Sequence, residues 1–439
     1  MNKTQPNILF FLPDQHRADW LGDNPDLPLR TPNVDKLISR GMKFTHAFTP
    51  SPLCSPARAC LATGRDYERC GVVDNGQNTP LSLPTYYQHL RNAGYAVATV
   101  GKLDLHKADF DWGLDGSHCL TEYGFTSGID NEGKMDAISS YKNNGRSPRG
   151  PYMEFLKKAN WVENHVRMYE ENAGDCNFAC VSDLPESAYC DNWVANNGIH
   201  CLKEFEKDKP WHLVVNFVGP HGPFDITESM NEKWSGVRMP PPVDNEQSDP
   251  EKVENRRRNY AAMIENIDSL MGKMIEEVKI RGELDNTILV FSSDHGEMLG
   301  DHNRWGKMTW HSPSSKIPLV VTGPGVQTGV SSKALISLHD LAATFLDMAG
   351  AQPLSDSDAM SFNRVLSGES MDHRGHVKCS LNEWKMIFDG RYKYVLTDHK
   401  PSLLFDLEKD PNERVNLCQK YPEVRRALEE KLLQDLEIQ

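Results

Sequence analysis

Short, wholly apolar runs that alternate with helical stretches constrain this chain most. Ile8-Leu9-Phe10-Phe11-Leu12 is too short for a core helix and lacks the alternation of a half-exposed strand. Residues Asn7–Leu12 therefore read as a strand covered on both faces. Thr31-Pro32 places a capping residue before a proline that suits the first helical turn, opening a helix to about Arg40 that Gly41 ends. The grammar repeats: helix Leu83–Asn92 closed by Gly94, strand Tyr95–Val100, strand Leu213–Phe217, a charged helix over 250–280, strands Thr287–Ser292 and Ile317–Val321, and helix Leu338–Met348 ended by Gly350. Strand and helix in alternation predict an α/β fold, a large domain over 1–355 with a mainly parallel mixed sheet sandwiched by helices. Residues 107–210 are rich in Gly, Asn, Asp and Ser with weak periodicity, and read as insertions around an active-site mouth rather than as core. After about 356 the style changes. His376–Leu381, Lys385–Asp389, Lys393–Thr397 and Leu403–Leu407 have hairpin spacing, and a charged helix starts near Pro422. Residues 356–439 are thus expected to form a small antiparallel sheet plus helix.

The chain's 439 residues suit a large domain with a small one, and 38% hydrophobic with 25% charged residues supports a sizeable core. A net charge of −14 repels nucleic acid and anionic membranes over most of the surface, so neither is an expected partner. It leaves room for an anionic substrate in a local basic pocket. No apolar run approaches the roughly 20 residues that a bilayer requires. Met1 to Pro6 is polar and lacks a leader pattern, so the chain as written is expected in the cytoplasm, or in the periplasm if a leader has been cleaved. The ten cysteines do not pattern as a disulfide scaffold. The tightest group, Cys176, Cys180, Cys190 and Cys201, has C-x3-C spacing where a zinc site favours a paired C-x2-C, so these read as free thiols.

Chemistry collects after the predicted strands. The first is followed by Pro13-Asp14-Gln15, the next by Gly101-Lys102-Leu103-Asp104-Leu105-His106, then Gly219-Pro220-His221, then Ser293-Asp294-His295-Gly296. Open α/β sheets bind ligands beyond the carboxyl ends of their strands. Any one of these residues has an ordinary reading as a turn, cap or surface residue. Their coincidence at four strand ends points to one rim. Asp14, Gln15 and Asp294 with His295 suit Ca²⁺, Mg²⁺ or Mn²⁺ better than a thiolate-rich zinc site. In Ser51-Pro-Leu-Cys54-Ser-Pro56-Ala-Arg58-Ala-Cys60-Leu-Ala-Thr63-Gly64-Arg65, Pro56 starts a helix that puts Cys54 near its N-terminus. The helix dipole and Arg58 would favour an anion there. That makes Cys54 either a low-pKa nucleophile or a buried structural cysteine. A cysteine-phosphatase loop is excluded, because arginine would have to stand six positions on, where Cys60 is.

Cys54-x-Pro56-x-Arg58 followed by Leu61-x-Thr63-Gly64-Arg65 resembles the signature of the type I sulfatases, in the alkaline-phosphatase-like superfamily. Further matches are Thr31-Pro32-Asn33-Val34-Asp35, Gly101-Lys102, Ser293-Asp294-His295-Gly296 and the tail Leu404-Phe405-Asp406-Leu407 … Asp410-Pro411-x-Glu413 … Asn416-Leu417. The resemblance implies that Cys54 is oxidised to formylglycine by a maturation enzyme. The hydrated aldehyde then attacks sulfur with one hydroxyl, and the second hydroxyl's deprotonation expels sulfate. It implies a divalent cation, with Ca²⁺ favoured over Mn²⁺ or Mg²⁺, held by Asp14, Gln15, Asp294, His295 and the residue-54 oxygen. The cation lowers the diol pKa and neutralises sulfate oxygens. Arg58 and Lys102 would orient the diol, Lys307 would bind sulfate, His221 would protonate the leaving alcohol and His106 would take the second hydroxyl's proton. Three residues separate Lys102 from His106 where relatives have one or two, so Asp104 competes for that last task.

For substrate, Arg304, Trp305, Trp310 and His311 flank Lys307 and either line a pocket for a sugar ring and its acidic groups or pack the rim. The expected function is a sulfuric ester hydrolase acting on a small-molecule or oligosaccharide sulfate, most readily a sulfated carbohydrate. The Asp-Gln and Asp-His pairs resemble choline-sulfatases and phosphonate monoesterases, which keeps a small alkyl sulfate or a phosphonate monoester or phosphodiester in play. A non-catalytic binding protein would follow if Cys54 is never oxidised. Assembly into a homo-oligomer stays open.

Overall fold

A computed structural model describes residues 5–173, 175–246, 249–398 and 402–437. The start of the chain, residues 1–4, which entered the leader argument, lies outside that set. The central sheet has eight strands: β1 (Asn7–Phe11), β2 (Gly41–Phe44), β3 (Ala96–Gly101), β4 (Ser127–Asp130), β5 (Trp211–Asn216), β6 (Thr287–Ser292), β7 (Leu319–Thr322) and β8 (Val330–Ser332). Their order across the sheet is β8-β2-β7-β6-β1-β5-β3-β4. Strands β6, β1, β5, β3 and β4 run parallel, while β7 is antiparallel to both its neighbours.

All five residues of β1 are buried. Ile8 and Phe10 join one apolar layer, while Leu9 and Phe11 join the other, the two-faced burial that a continuous apolar run demands. Helices α2 (Cys54–Thr63), α3 (Tyr86–Asn92) and α6 (Asp340–Met348) pack on the first face. Helices α1 (Pro32–Arg40), α4 (Cys190–Glu204) and α5 (Pro250–Ile280) cover the second. Helix α3 begins at Tyr86, not Leu83, because Thr85 and Gln88 form a reciprocal capping box that starts the helix there.

Residues 107–210, expected to lie around the mouth rather than in the core, do add to the core. They supply edge strand β4, and Val194, Ala195 and Leu202 of α4 are part of the second layer. Three short helices between them, Lys134–Asn143, Pro151–Lys158 and Val162–Glu171, share an apolar cluster of their own. The last part of the chain forms the antiparallel sheet β9 (Val377–Leu381), β10 (Trp384–Phe388), β11 (Tyr392–Thr397), β12 (Leu403–Asp406), with helix α7 (Pro422–Glu437). Val377, Cys379, Met386 and Phe405 of this sheet pack with Phe48 and Leu53, immediately before Cys54. Among the described residues no helix is long and apolar enough to cross a membrane.

Candidate active site

Four parallel strands end on one rim and deliver polar residues to it. Asp14 and Gln15 follow β1, Lys102 follows β3, Asn216 ends β5 ahead of His221, and Asp294 and His295 follow β6. Strands β3 and β5 approach so closely that a Cβ on Gly101 would lie 1.9 Å from the Asn216 carbonyl oxygen. Gly101 also has φ +98°, a conformation that suits glycine, and it turns the chain so that the Lys102 amide donates to that same carbonyl at 2.9 Å. Asp191 of α4 accepts from the Val218 and Gly219 amides at 2.8 and 3.0 Å and so holds the loop that carries His221.

Cys54 is the first residue of α2, whose ten residues are all buried. The N-cap Leu53 offers no side-chain cap, the Asn75 side chain accepts from the Ser55 amide at 3.0 Å and Pro56 has no N–H, and the positive pole of the helix lies at position 54. The Cys54 sulfur lies 3.3 Å from His295 Nε2, 3.1 Å from Lys307 Nζ and 3.8 Å from Asp14 Oδ1. Burial raises the thiol pKa, yet Lys102, Lys307 and His295 outweigh it and hold it well below the usual thiol range. Burial and Cys54 likewise push the Asp14 carboxyl up, and Lys102, His221 and Lys307 bring it down below the ordinary carboxylate value. For His295, burial lowers the pKa, and the Asp294 carboxylate together with Cys54 more than reverses that.

Asp14, Cys54, Asp294 and His295 each offer one ligand atom, and these atoms lie within 4.8 Å of one another, all buried. Two carboxylates, an imidazole and the residue-54 side chain make a donor set that fits a divalent cation. The positive side chains gathered on the same carboxylates carry the charge that a cation would supply. Arg58 Nε donates to Asp294 at 3.0 Å and Nη2 to Asp14 at 3.5 Å, while Nη1 donates to Asn216 Oδ1 at 2.9 Å and to the Lys102 carbonyl at 2.6 Å. Lys102 pairs with Asp14 as well.

Gln15 joins this centre. Its amide N–H donates to Asp294 Oδ1 at 3.0 Å, and its side chain bridges Lys307 and Glu297. Gln15 itself has φ +66°, uncommon for a residue with a side chain. Lys307 Nζ lies 2.7 Å from His221 Nε2, so the two residues expected to meet sulfate and leaving group sit together beside the sulfur. The Lys307 loop is tied down by the Gly306 amide on Glu297 at 2.6 Å and the Met308 amide on the Pro52 carbonyl at 3.2 Å.

Some expected residues go elsewhere. The ring of His106 sits 3.6 Å from Asp130 and packs beside His118 and Tyr123, and neither of its nitrogens has a hydrogen bond. It does not join Cys54. Trp310 packs edge-on against Trp384 and stacks on His311, whose Nδ1 meets the Thr309 hydroxyl at 2.7 Å. Trp310 thereby fastens the loop to the C-terminal sheet. Arg304 is exposed. Trp305 lies at the rim with Arg256 stacked 4.8 Å over its ring. Asn216 and Glu297 were missed in sequence. The signals were there: Asn216 is a polar residue at the end of an apolar strand, and Glu297 stands two residues past His295.

The sequence profile of the sulfatase family matches residues 6–351, and that of the C-terminal region of N-sulphoglucosamine sulphohydrolase matches residues 300–438. A choline-sulfatase of Rhizobium meliloti is 28% identical, covering 95% of this chain and 83% of that protein. An N-acetylglucosamine-6-O-sulfatase of Bacteroides thetaiotaomicron is 24% identical over 83% of this chain and 71% of its own. Among solved structures, a phosphonate monoester hydrolase of Agrobacterium radiobacter superposes with a TM-score of 0.80 and 25% identity, covering 98% of this chain and 95% of the other.

Proposed function

The chain belongs to the sulfatase family and is a sulfuric ester hydrolase; from that premise we propose that it removes sulfate from a sulfated carbohydrate, using formylglycine made from Cys54 and a divalent cation. The observation that carries this reading is the position of the Cys54 sulfur, at a helix N-terminus and touching His295, Lys307 and Asp14 at once. The sulfur stands where the oxidised side chain would carry its oxygens. Asp14, Gln15, Asp294 and His295 would hold the cation, Ca²⁺ by preference, together with residue 54. When bound, the cation supplies positive charge that acidifies the attacking hydroxyl and neutralises sulfate oxygens. Residues 1–355 would form the catalytic domain and 356–439 its subdomain.

The protein's own groups divide the remaining work. Arg58, buried and hydrogen-bonded on every nitrogen, fixes Asp294 and Asp14 in place. Lys307 binds the sulfate oxygens, because the ammonium of this half-buried side chain lies beside position 54. His221 shares that approach and donates a proton to the leaving alcohol through Nε2. Conversion of Cys54 requires a maturation enzyme, which reads the chain before α2 is packed away.

A second reading, hydrolysis of a phosphonate monoester, is favoured by the likeness to the Agrobacterium enzyme over nearly the full chain. A small alkyl sulfate is the third. Turnover of an aryl sulfate, an aryl phosphonate, choline sulfate and defined sulfated saccharides by one preparation separates them. Peptide mass spectrometry across residue 54 tests the mechanism: an unmodified thiol in fully active protein refutes it.

A further inference from the structure

A second cavity, of about 510 Å³, opens on the β2–β7 side of the sheet. Its walls include residues 17–25 after β1, Phe44 at the end of β2, residues 312–318 before β7 and residues 411–413 after β12. Asp14, Gln15, Cys54, Asp294 and His295 do not line it, so it lies beside the reaction centre and not in it.

The charges on this wall do not balance in pairs. Asp19 accepts from Arg17 Nε and Nη2 at 2.7 and 3.0 Å, and Arg17 Nη1 meets Asp301 at 2.7 Å. Asp23 pairs with Lys43, and Glu413 pairs with Lys393 at 2.7 Å. All four lining carboxylates are thus taken by other cations. Lys316 is left over. Its side chain is half-buried, and its ammonium has no hydrogen bond or ion pair among the described residues. Burial lowers its pKa; Asp19 and Glu413 oppose that, Lys393 and Lys43 add to it, and the net shift is downward. The backbone beneath it is held in place. The Lys316 amide donates to the Ser312 carbonyl at 3.0 Å, and on either side the Thr49 amide donates to the Ser315 carbonyl at 2.9 Å and the Ile317 amide to the Ala47 carbonyl at 3.0 Å.

An ammonium withdrawn from water without a counter-charge is costly, and lysines at such depth are normally paired. With one cation in excess, a ligand of single negative charge completes the balance. The rest of the wall is largely apolar: Pro25, Val243 and Pro313 are partly exposed, with Phe44 and Ile317 behind them. The volume, the apolar lining and the single anchoring charge are those of a small-molecule site. Inorganic sulfate or phosphate would bring surplus charge and leave the apolar wall uncovered. We propose that this cavity binds a small organic monocarboxylate, with the carboxylate on Lys316 and the apolar body against Pro25, Val243 and Pro313.

The test is calorimetric titration of the full-length protein with 4-phenylbutyrate. One molecule per chain is expected to bind, about tenfold or more tightly than 4-phenylbutanol, which has the shape without the charge. Lys316→Met is expected to weaken phenylbutyrate about tenfold or more, and Lys316→Arg by less than about fivefold. Lys333→Met, an exposed lysine outside the cavity, should leave binding unchanged. The melting temperature of Lys316→Met should be no lower than that of the wild type, since an unpaired ammonium is removed. Crystals of the wild type soaked in phenylbutyrate should show its carboxylate on Lys316 Nζ, a readout that stands even if Lys316→Met fails to fold. Undiminished binding in folded Lys316→Met overturns the proposal, as does density for the probe only at other places. Loss of binding in Lys307→Met with Lys316→Met unaffected overturns it too, because the probe then sits at the reaction centre. Displacement of phenylbutyrate by an equal concentration of sodium sulfate overturns the assignment to an organic acid.

Discussion

Replacing Arg58 by methionine is expected to destabilise the cation-free protein far more than the loaded one. The guanidinium is 2% exposed and faces Asp294 and Asp14, both fully buried. Asp14 keeps Lys102 as a partner after the change. Asp294 keeps the Gln15 and His295 amides at 3.0 and 2.9 Å, the Ser293 hydroxyl at 3.4 Å and the His295 ring at 3.6 Å, none of which carries a full positive charge comparable to the guanidinium. Removing one member of a buried ion pair costs about 3–5 kcal/mol, since the other charge stays behind in the interior. Unfolding entropy of about 2.1 cal/mol/K per residue, over 439 residues, makes 1 kcal/mol worth about 1 °C in melting temperature. In EDTA the melting temperature should therefore fall by about 3–5 °C. In saturating calcium the cation replaces the lost positive charge on the same two carboxylates, and the fall should be clearly smaller. Scanning calorimetry of both proteins in both buffers gives the comparison. An equal fall with and without calcium would refute the idea that Arg58 and the cation share these carboxylates. A fall below about 1 °C in EDTA would refute the dependence of Asp294 on Arg58.

Cys54→Ala should abolish turnover and leave the melting temperature nearly unchanged, since a small apolar side chain suits the buried N-terminus of α2; residual activity at the wild-type level removes Cys54 from the chemistry. Lys307→Ala should raise KM more than it lowers kcat, and an unchanged kcat/KM takes Lys307 out of substrate binding. Glu132 is fully buried, and burial pushes its carboxyl up to about 7 against amide donors at the start of helix Pro151–Lys158. A raised acid pKa stabilises the fold when protonated, so this contribution is complete below about 4.5 and is lost as pH rises through about 7, a change of about 3 kcal/mol. Glu132→Gln should flatten that part of the stability–pH curve in denaturant titrations, and an unchanged curve would mean that Glu132 ionises normally. The buried pair Lys393–Glu413, 2.7 Å apart, ties the C-terminal sheet to Ser312 and the Trp310 carbonyl. Glu413→Gln should cost about 3 kcal/mol, and a melting temperature equal to wild type would show that the link carries no stability.

The fold class was legible because its signals are local. Five apolar residues in a row, as in Ile8–Leu12, admit little besides a strand covered on both faces, and Thr31-Pro32 marks a helix start whatever surrounds it. The site was legible for a related reason: a polar residue directly after a buried strand must emerge at the sheet's end, and that logic collected Asp14, Lys102, His221, Asp294 and His295. What the amino-acid order left open depends on distant partners. That residues 107–210 add to the core is decided by strand β4 pairing with β3 and by α4 packing on the second face, contacts with no local mark. Trp310 has the same chemistry whether it meets a sugar or Trp384, and only the seating of the C-terminal sheet brings it against Trp384. The choice between Asp104 and His106 turns on backbone direction, because a left-handed residue at 104 aims one side chain at Lys102 and sends the other to Asp130. Side-chain identity is written in the chain, but which charges come within a few ångströms of each other is a property of the sheet order and of the loops that leave it.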